Sequence, residues 1–174
     1  MTQIFVFTAG NPAARSHLDD SIRNPIDPGQ LYEEASQDLR AKLEAIRTQA
    51  GNFYAWGAKP TPRNQTLWGR MQKDDFVLGV FESTYRYVAR VVSRIESEEL
   101  AARIWGRDED GQTWQNIYFL TKPKEVTRPV RHLKNSLNAR YMGFTRISDS
   151  RLEQLEKRYG SIEAFIDQEL LRES

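Results

Sequence analysis

All four tryptophans of this 174-residue chain (Trp56, Trp68, Trp105 and Trp114) fall between Phe53 and Leu120, interleaved with three runs of β-forming residues. Nothing else in the sequence restricts the fold as much. The stretch 75–81 (DFVLGVF) is apolar after its opening aspartate, and 85–97 (YRYVARVVSRIES) alternates Tyr85, Tyr87, Ala89 and Val91 with Arg86, Val88, Arg90 and Val92. Alternation with period two is the mark of a strand. The short Glu82-Ser83-Thr84 link is the length of a hairpin turn. A third β-type run, 113–120 (TWQNIYFL), and a short one at 53–58 (FYAWGA) complete a small sheet or barrel with tryptophans in or beside its loops. Such an arrangement builds an aromatic pocket suited to a flat ligand.

The rest of the chain supplies layers around this centre. Residues 3–8 (QIFVFT) read as a first strand buried on both faces, stopped by Ala9-Gly10-Asn11-Pro12. Residues 13–30 predict a short helix and then an extended loop. Residues 31–49 predict one amphipathic helix, with Leu31, Ala35, Leu39, Leu43 and Ile46 on a shared face and Gly51 ending it. Residues 59–66 (KPTPRNQT) read as a loop, 67–71 as a helical turn, and Ser97 as the cap of a helix running to Trp105. Asp108 to Gly111 is a turn, and 122–130 is a basic connection. Residues 131–137 read as a short helix. Two helices close the chain: one starting at Ser148 or Asp149 with Leu152 and Leu155 inward, broken by Gly160, and one capped by Ser161.

Length and composition predict one domain over 1–174, with a core at about 3–147 and C-terminal helices at 148–171 packed on it. The absence of cysteine excludes disulfides, thiolate metal ligands and a cysteine nucleophile. The start MTQIFVFTAG lacks the pattern of a signal peptide, and no stretch approaches the ~18 apolar residues of a membrane span. A cytoplasmic location with no membrane contact is the expectation.

The net charge of +1 conceals a pattern. Residues 51–95 carry seven Lys/Arg against three Asp/Glu, and 122–146 carry seven against one. A basic centre with acidic flanks suits one face meeting an anion, and equally a solvated surface whose charges cluster only in sequence.

For catalysis the sequence offers little. It has no nucleophile elbow, no Gly-rich phosphate loop and no zinc set. His17 and His132 lie far apart without ligand-spaced partners, so each reads as a surface or hydrogen-bonded histidine and no metal is expected. Asp74-Asp75 and the 108–110 acids read as structural. Binding is better supported: aromatic faces stack on any base for about 1–3 kcal/mol, and an asparagine amide offers both a donor and an acceptor to a base edge. Asn64, eight residues after Trp56, supplies such an amide beside such a wall. Tryptophans in a small β domain are also commonly core.

The order of these pieces resembles the EVE domain of the PUA-like superfamily, which also holds the YTH readers of methylated RNA. The resemblance rests on FVFTAGN, FYAWGA with the following Asn64, the hairpin DFVLGVFESTYRYVARVV, the helix LAARIWG and the strand TWQNIYFL, over about residues 3–120; RYGSIEAFI is similar to the tail of restriction-associated members. It implies an α+β, PUA-like (EVE/YTH-like) curved sheet or barrel surrounded by helices. It further implies a non-enzymatic reader of modified bases in double-stranded DNA, most directly 5-methylcytosine or 5-hydroxymethylcytosine. The base would be flipped into an aromatic cage, and the domain would serve modification-dependent restriction.

By residue matching, Trp56 and Trp105 would be the cage walls. Thr8, Gly10 and Asn11 would line the floor, Asn64 would read the base edge, and Ser83, Thr84 and Tyr85 would touch base or backbone from the hairpin tip. Trp114 is expected in the core and Trp68 is left open. Lys59, Arg63, Arg70, Arg131, Lys134 and Arg140 are the candidate phosphate contacts. The chain carries no HNH segment, which implies a nuclease effector fused elsewhere or on a separate subunit, and no cofactor is expected. Alternatives from other classes are a modified-RNA or methyladenine reader and a plain protein-interaction domain.

Overall fold

The hairpin is the spine of the molecule. The computed structural model describes residues 1–172, and in it β3 (Phe76–Phe81) and β4 (Thr84–Glu96) pair antiparallel through a turn at Glu82 and Ser83. Both turn residues have positive φ, 52° and 51°, the geometry that matches a tight turn to the twist of its strands. The 13-residue β4 is long enough to take two partners along its other edge. Its first half pairs with β6 (Lys124–Pro129) and its second half with β5 (Asn116–Leu120), each antiparallel. β1 (Ile4–Thr8) lies parallel to β3, β2 (Tyr54–Ala58) antiparallel to β5, and the two-residue β7 (Thr145–Arg146) antiparallel to β1. The order is β2-β5-β4-β3-β1-β7, with β6 alongside β4. The sheet is curved and unclosed, the PUA-like arrangement, so the barrel alternative falls away.

Alternation along the strands divides the interior. Ile4, Val6, Phe76, Leu78 and Tyr85 face the C-terminal helices α6 (Asp149–Tyr159) and α7 (Ile162–Ile166) and the π-type turn Asp167–Leu171. Phe5, Phe7, Trp56, Tyr87, Tyr118 and Phe144 occupy the other face with Leu18 and Ile22 of α1 (Pro12–Ser21). Phe53, Ala55, Ile117 and Phe119 pack against α2 (Pro28–Tyr32), α3 (Gln37–Ala50) and α5 (Glu98–Trp105).

The expected helices at the C-terminal end form as read: Ser148 caps α6 and Gly160 ends it at φ 92°, and Ser161 caps α7. Four readings are corrected. The single helix at 31–49 is two, because Asp27 caps α2 with Pro28 in its first turn, Glu34 turns the chain at φ 56° and Ser36 caps α3. Leu31 reaches the same cluster as Leu43 and Ile46, so the shared apolar face is real although the helix is broken. The loop at 59–66 is largely helix α4 (Pro62–Gly69), whose start Thr61-Pro62 is a capping threonine followed by a helix-opening proline. The basic connection at 122–130 contains β6, a mostly exposed strand whose polar sequence carries no apolar alternation. The short helix at 131–137 is a 3-10 turn at Val130–Leu133. No helix among the described residues is long and apolar enough to cross a membrane.

Candidate base-binding site

One face of the sheet carries a cavity of about 280 Å³ lined by the ends of β1 and β2, by α1, α4 and α5, and by the Gly143-Phe144 segment before β7. Its aromatic wall starts on β2, where Trp56 stacks on Phe7 of β1, 4.6 Å between centroids and 24° between planes. Trp105, the last residue of α5, meets Trp56 edge-on at 6.4 Å and 66°. Its indole N–H donates to Ser21 Oγ (3.0 Å), and that hydroxyl donates to the Ala55 carbonyl (2.6 Å), so one buried serine of α1 ties α5 to β2. Gly57 makes this approach possible: a Cβ there would lie 2.4 Å from the Trp114 carbonyl oxygen and 2.9 Å from the Trp105 ring. Trp56 and Trp105, the two expected walls, therefore meet as a corner.

Four further side chains complete the lining. Trp114, expected in the core, is instead half-buried and faces the cavity, with the Lys59 ammonium 5.2 Å above its ring. Tyr118 and Phe144 stack at 5.5 Å and 16°. The Tyr118 hydroxyl is buried without a hydrogen-bond partner among the described residues, and burial pushes its titration well above the ordinary range. His17 was not singled out by the sequence beyond its isolation. It is buried on α1 among Trp114 (4.5 Å, edge-on), Trp105 (6.3 Å) and Trp56 (6.5 Å). Burial lowers its basicity, against the opposing pull of the Asp20 carboxylate and a backbone hydrogen bond at Trp105. The signal for it was the stripe Ala14, His17, Leu18, Ser21, spaced as one helical face after the Asn11-Pro12 cap.

The polar readers sit at the rim. Asn64 lies on α4, and its Nδ2 donates to the Lys59 carbonyl (3.1 Å). That bond fixes the amide's orientation and leaves Oδ1 as an acceptor with no partner among the described residues. Asn11 spends its Oδ1 on the Ala14 N–H as the cap of α1 and still lines the cavity. Thr8 lines it too, whereas Gly10 and Ser83 belong to a neighbouring cleft of about 550 Å³ that shares Thr8. Tyr85 does not reach the cavity: it is fully buried on the opposite face, its hydroxyl 2.7 Å from that of Tyr141. Thr84 is half-buried beside it. Trp68 lines none of the three clefts described; its indole donates to the Ile117 carbonyl (3.0 Å) and carries the Arg94 guanidinium on its face.

The basic residues divide in the same way. Lys59 is paired with Asp108 at 2.5 Å, and Arg63 donates to the Phe144 carbonyl at 2.5 Å, so both brace the site's own loops. That Lys59 bond, with the Gln112 and Asp110 N–H groups, holds the Asp108 carboxyl below its ordinary range, as a turn organiser. Asp75 is equally structural, accepting from Gln3 and Gln72. Arg131 and Arg140 line the cleft beside Thr8, whereas Arg70 and Lys134 are exposed and line none of the clefts described. No group of three or more metal-ligating side chains comes together among the described residues.

The class of fold is thus a PUA-like curved sheet with an aromatic cavity on one face. Among solved structures the chain is similar to the N-terminal domain of Thermococcus gammatolerans McrB bound to m5C DNA. The TM-score is 0.65 and the identity 16%, over 90% of this chain and 96% of that one. The YTH domain of Pho92 with m6A and that of Zygosaccharomyces rouxii MRB1 with N6-methyladenosine RNA align over 90% of this chain at 14% identity, with TM-scores of 0.49 and 0.44. No protein-family model matches the sequence, and no curated protein matches it.

Proposed function

We propose that this chain reads a modified base in double-stranded DNA, taking the base out of the helix into the tryptophan corner. The base favoured is 5-methylcytosine or 5-hydroxymethylcytosine. The observation that carries this reading is the cavity: Phe7, Trp56, Trp105, Trp114 and Tyr118 converge with one oriented amide on about 280 Å³. That volume sits at the small end of ligand pockets, which favours a pyrimidine over a purine. The free Oδ1 of Asn64 suits the exocyclic N–H donor of cytosine. A methyl group placed against the aromatic wall adds about 0.8 kcal/mol of apolar burial. Flipping costs a few kcal/mol of stacking and pairing, and aromatic contact worth about 1–3 kcal/mol per base offsets it. In this role the chain is a specificity domain in modification-dependent restriction, working with a nuclease fused to it or separate.

Binding at fixed moderate salt to matched duplexes tests the proposal: unmodified, 5-methylcytosine, 5-hydroxymethylcytosine and N6-methyladenine, with a methylated RNA beside them. The expected result is a preference for a modified-cytosine duplex. It should fall roughly tenfold in Asn64→Ala, a half-buried helix position that folding tolerates, in line with the 1–3 kcal/mol carried by an edge contact. Trp56→Ala, checked by circular dichroism for a folded state, should lose the preference altogether. Equal binding to all duplexes would overturn the reading, and preference for the RNA would make the chain an RNA reader.

A further inference from the structure

Two further clefts lie outside the base cavity, and their charges differ. The larger, of about 720 Å³, lies beyond the Phe81 ring and is lined by Arg23, Arg86, Lys124 and Arg172 together with Glu125. Three of its four cations are already paired: Arg23 with Asp19 at 3.0 Å, Arg86 with Glu82 at 3.5 Å and Arg172 with Asp167 at 3.3 Å. Its field is therefore largely cancelled at short range. The smaller cleft, between the hairpin tip and the 130–141 segment, is lined by Arg131 and Arg140 on one wall and by Ser83 on the other. Neither arginine makes an ion pair among the described residues, and both are exposed. The one acid of this cleft, Glu82, is held by Arg15 at 3.3 Å and Arg86 at 3.5 Å. Two free guanidiniums and a hydroxyl thus face a space that opens onto the base cavity at Thr8.

The frame of this cleft is rigid. Val130 N–H donates to the Ser83 carbonyl at 2.9 Å, so the segment bearing Arg131 is stitched to the hairpin turn. The other wall is braced by Tyr141, whose hydroxyl contacts that of buried Tyr85 and accepts from the Asn138 N–H. Gly10 forms an open edge, where a Cβ would meet nothing within 4 Å.

We infer that this cleft is the phosphate subsite of the reader, holding the nucleic-acid backbone next to the flipped nucleotide through Arg131, Arg140 and the Ser83 hydroxyl. The inference rests on the base-reading function proposed above and adds a location: the grip lies on the hairpin side of the cavity. Lys59 and Arg63 stay with their own protein partners. Guanidiniums are suited to this work because their forked donors match phosphate oxygens.

The test is the salt dependence of binding to the preferred duplex, measured for the wild type, Ser83→Ala, the double variant R131Q/R140Q, and Lys42→Gln on the remote helix α3 as control. Each phosphate contact removed lowers the slope of log K against log salt by about 0.9, so the double variant should flatten it by about 1.8. Its ratio of modified to unmodified binding should stay unchanged, because phosphate contacts position the duplex without reading the base. Ser83→Ala should weaken binding with the slope intact. A wild-type slope in the double variant, with discrimination retained, would overturn the phosphate subsite and leave the base-reading function standing. Failure of the wild type to bind any nucleic acid would overturn both.

Discussion

His17 sits among three tryptophan rings of the site, and its depressed basicity ties the stability of the cavity to pH. In the unfolded chain it takes up a proton near its ordinary value of 6.5; folded, it resists doing so. The unfolded state therefore binds more protons in acid, and the contribution of neutral His17 is fully present above about pH 6.5 and lost as the pH falls through the folded value. Thermal melts from pH 8 to 5 should show a decline below about 6.5 that is absent in His17→Gln. An unchanged decline in that variant would assign it to other groups. Gly57 is the other residue on which the corner depends, since any side chain there would meet the Trp114 backbone.

At the scale of elements, α4 decides where the edge-reading amide stands. Thr61 accepts the Asn64 N–H, and Pro62 opens the helix, so a five-residue stretch that reads as loop becomes a short rigid platform. Thr61→Ala should cost about 0.5–2 kcal/mol of stability. Because the lost cap frees the turn that holds Asn64, preference for the modified base should fall with it. Chemical denaturation and the duplex comparison, run on the same protein, check both. A destabilised variant with full discrimination would mean that the amide is held by its bond to Lys59 alone.

At the scale of the whole molecule, the sheet separates a face that binds from a face that stabilises. Phe165, Leu152 and Leu155 bury against Ile4, Val6 and Leu78, on the side of the sheet away from the cavity. Phe165→Ala should therefore cost about 3–5 kcal/mol, and where the variant remains folded its discrimination among duplexes should match the wild type. A drop in melting temperature combined with altered discrimination would show the two faces to be coupled.

What the chain's own order of residues determined was local: the hairpin around Glu82-Ser83, the caps at Ser97, Ser148 and Ser161, the helix stop at Gly160, and the strands that alternate or are apolar throughout. These follow from backbone preferences and from period-two or helical spacing, which act over a few residues. The resemblance of the ordered pieces carried the curved α+β fold as well. Only the tertiary structure decided which side chains share a cavity. Trp114 and Trp68 look alike in sequence, yet one lines the site and the other braces α4 against β5. Tyr85 and Ser83 are two residues apart, yet one is buried in the core and the other is exposed at the turn beside a cleft. His17, Ser21 and Phe144 enter the site from distant parts of the chain, and whether an arginine is free or already paired depends on acids brought close by folding. Those pairings are set by sheet register and by the packing of one layer on another, which no short window of sequence contains.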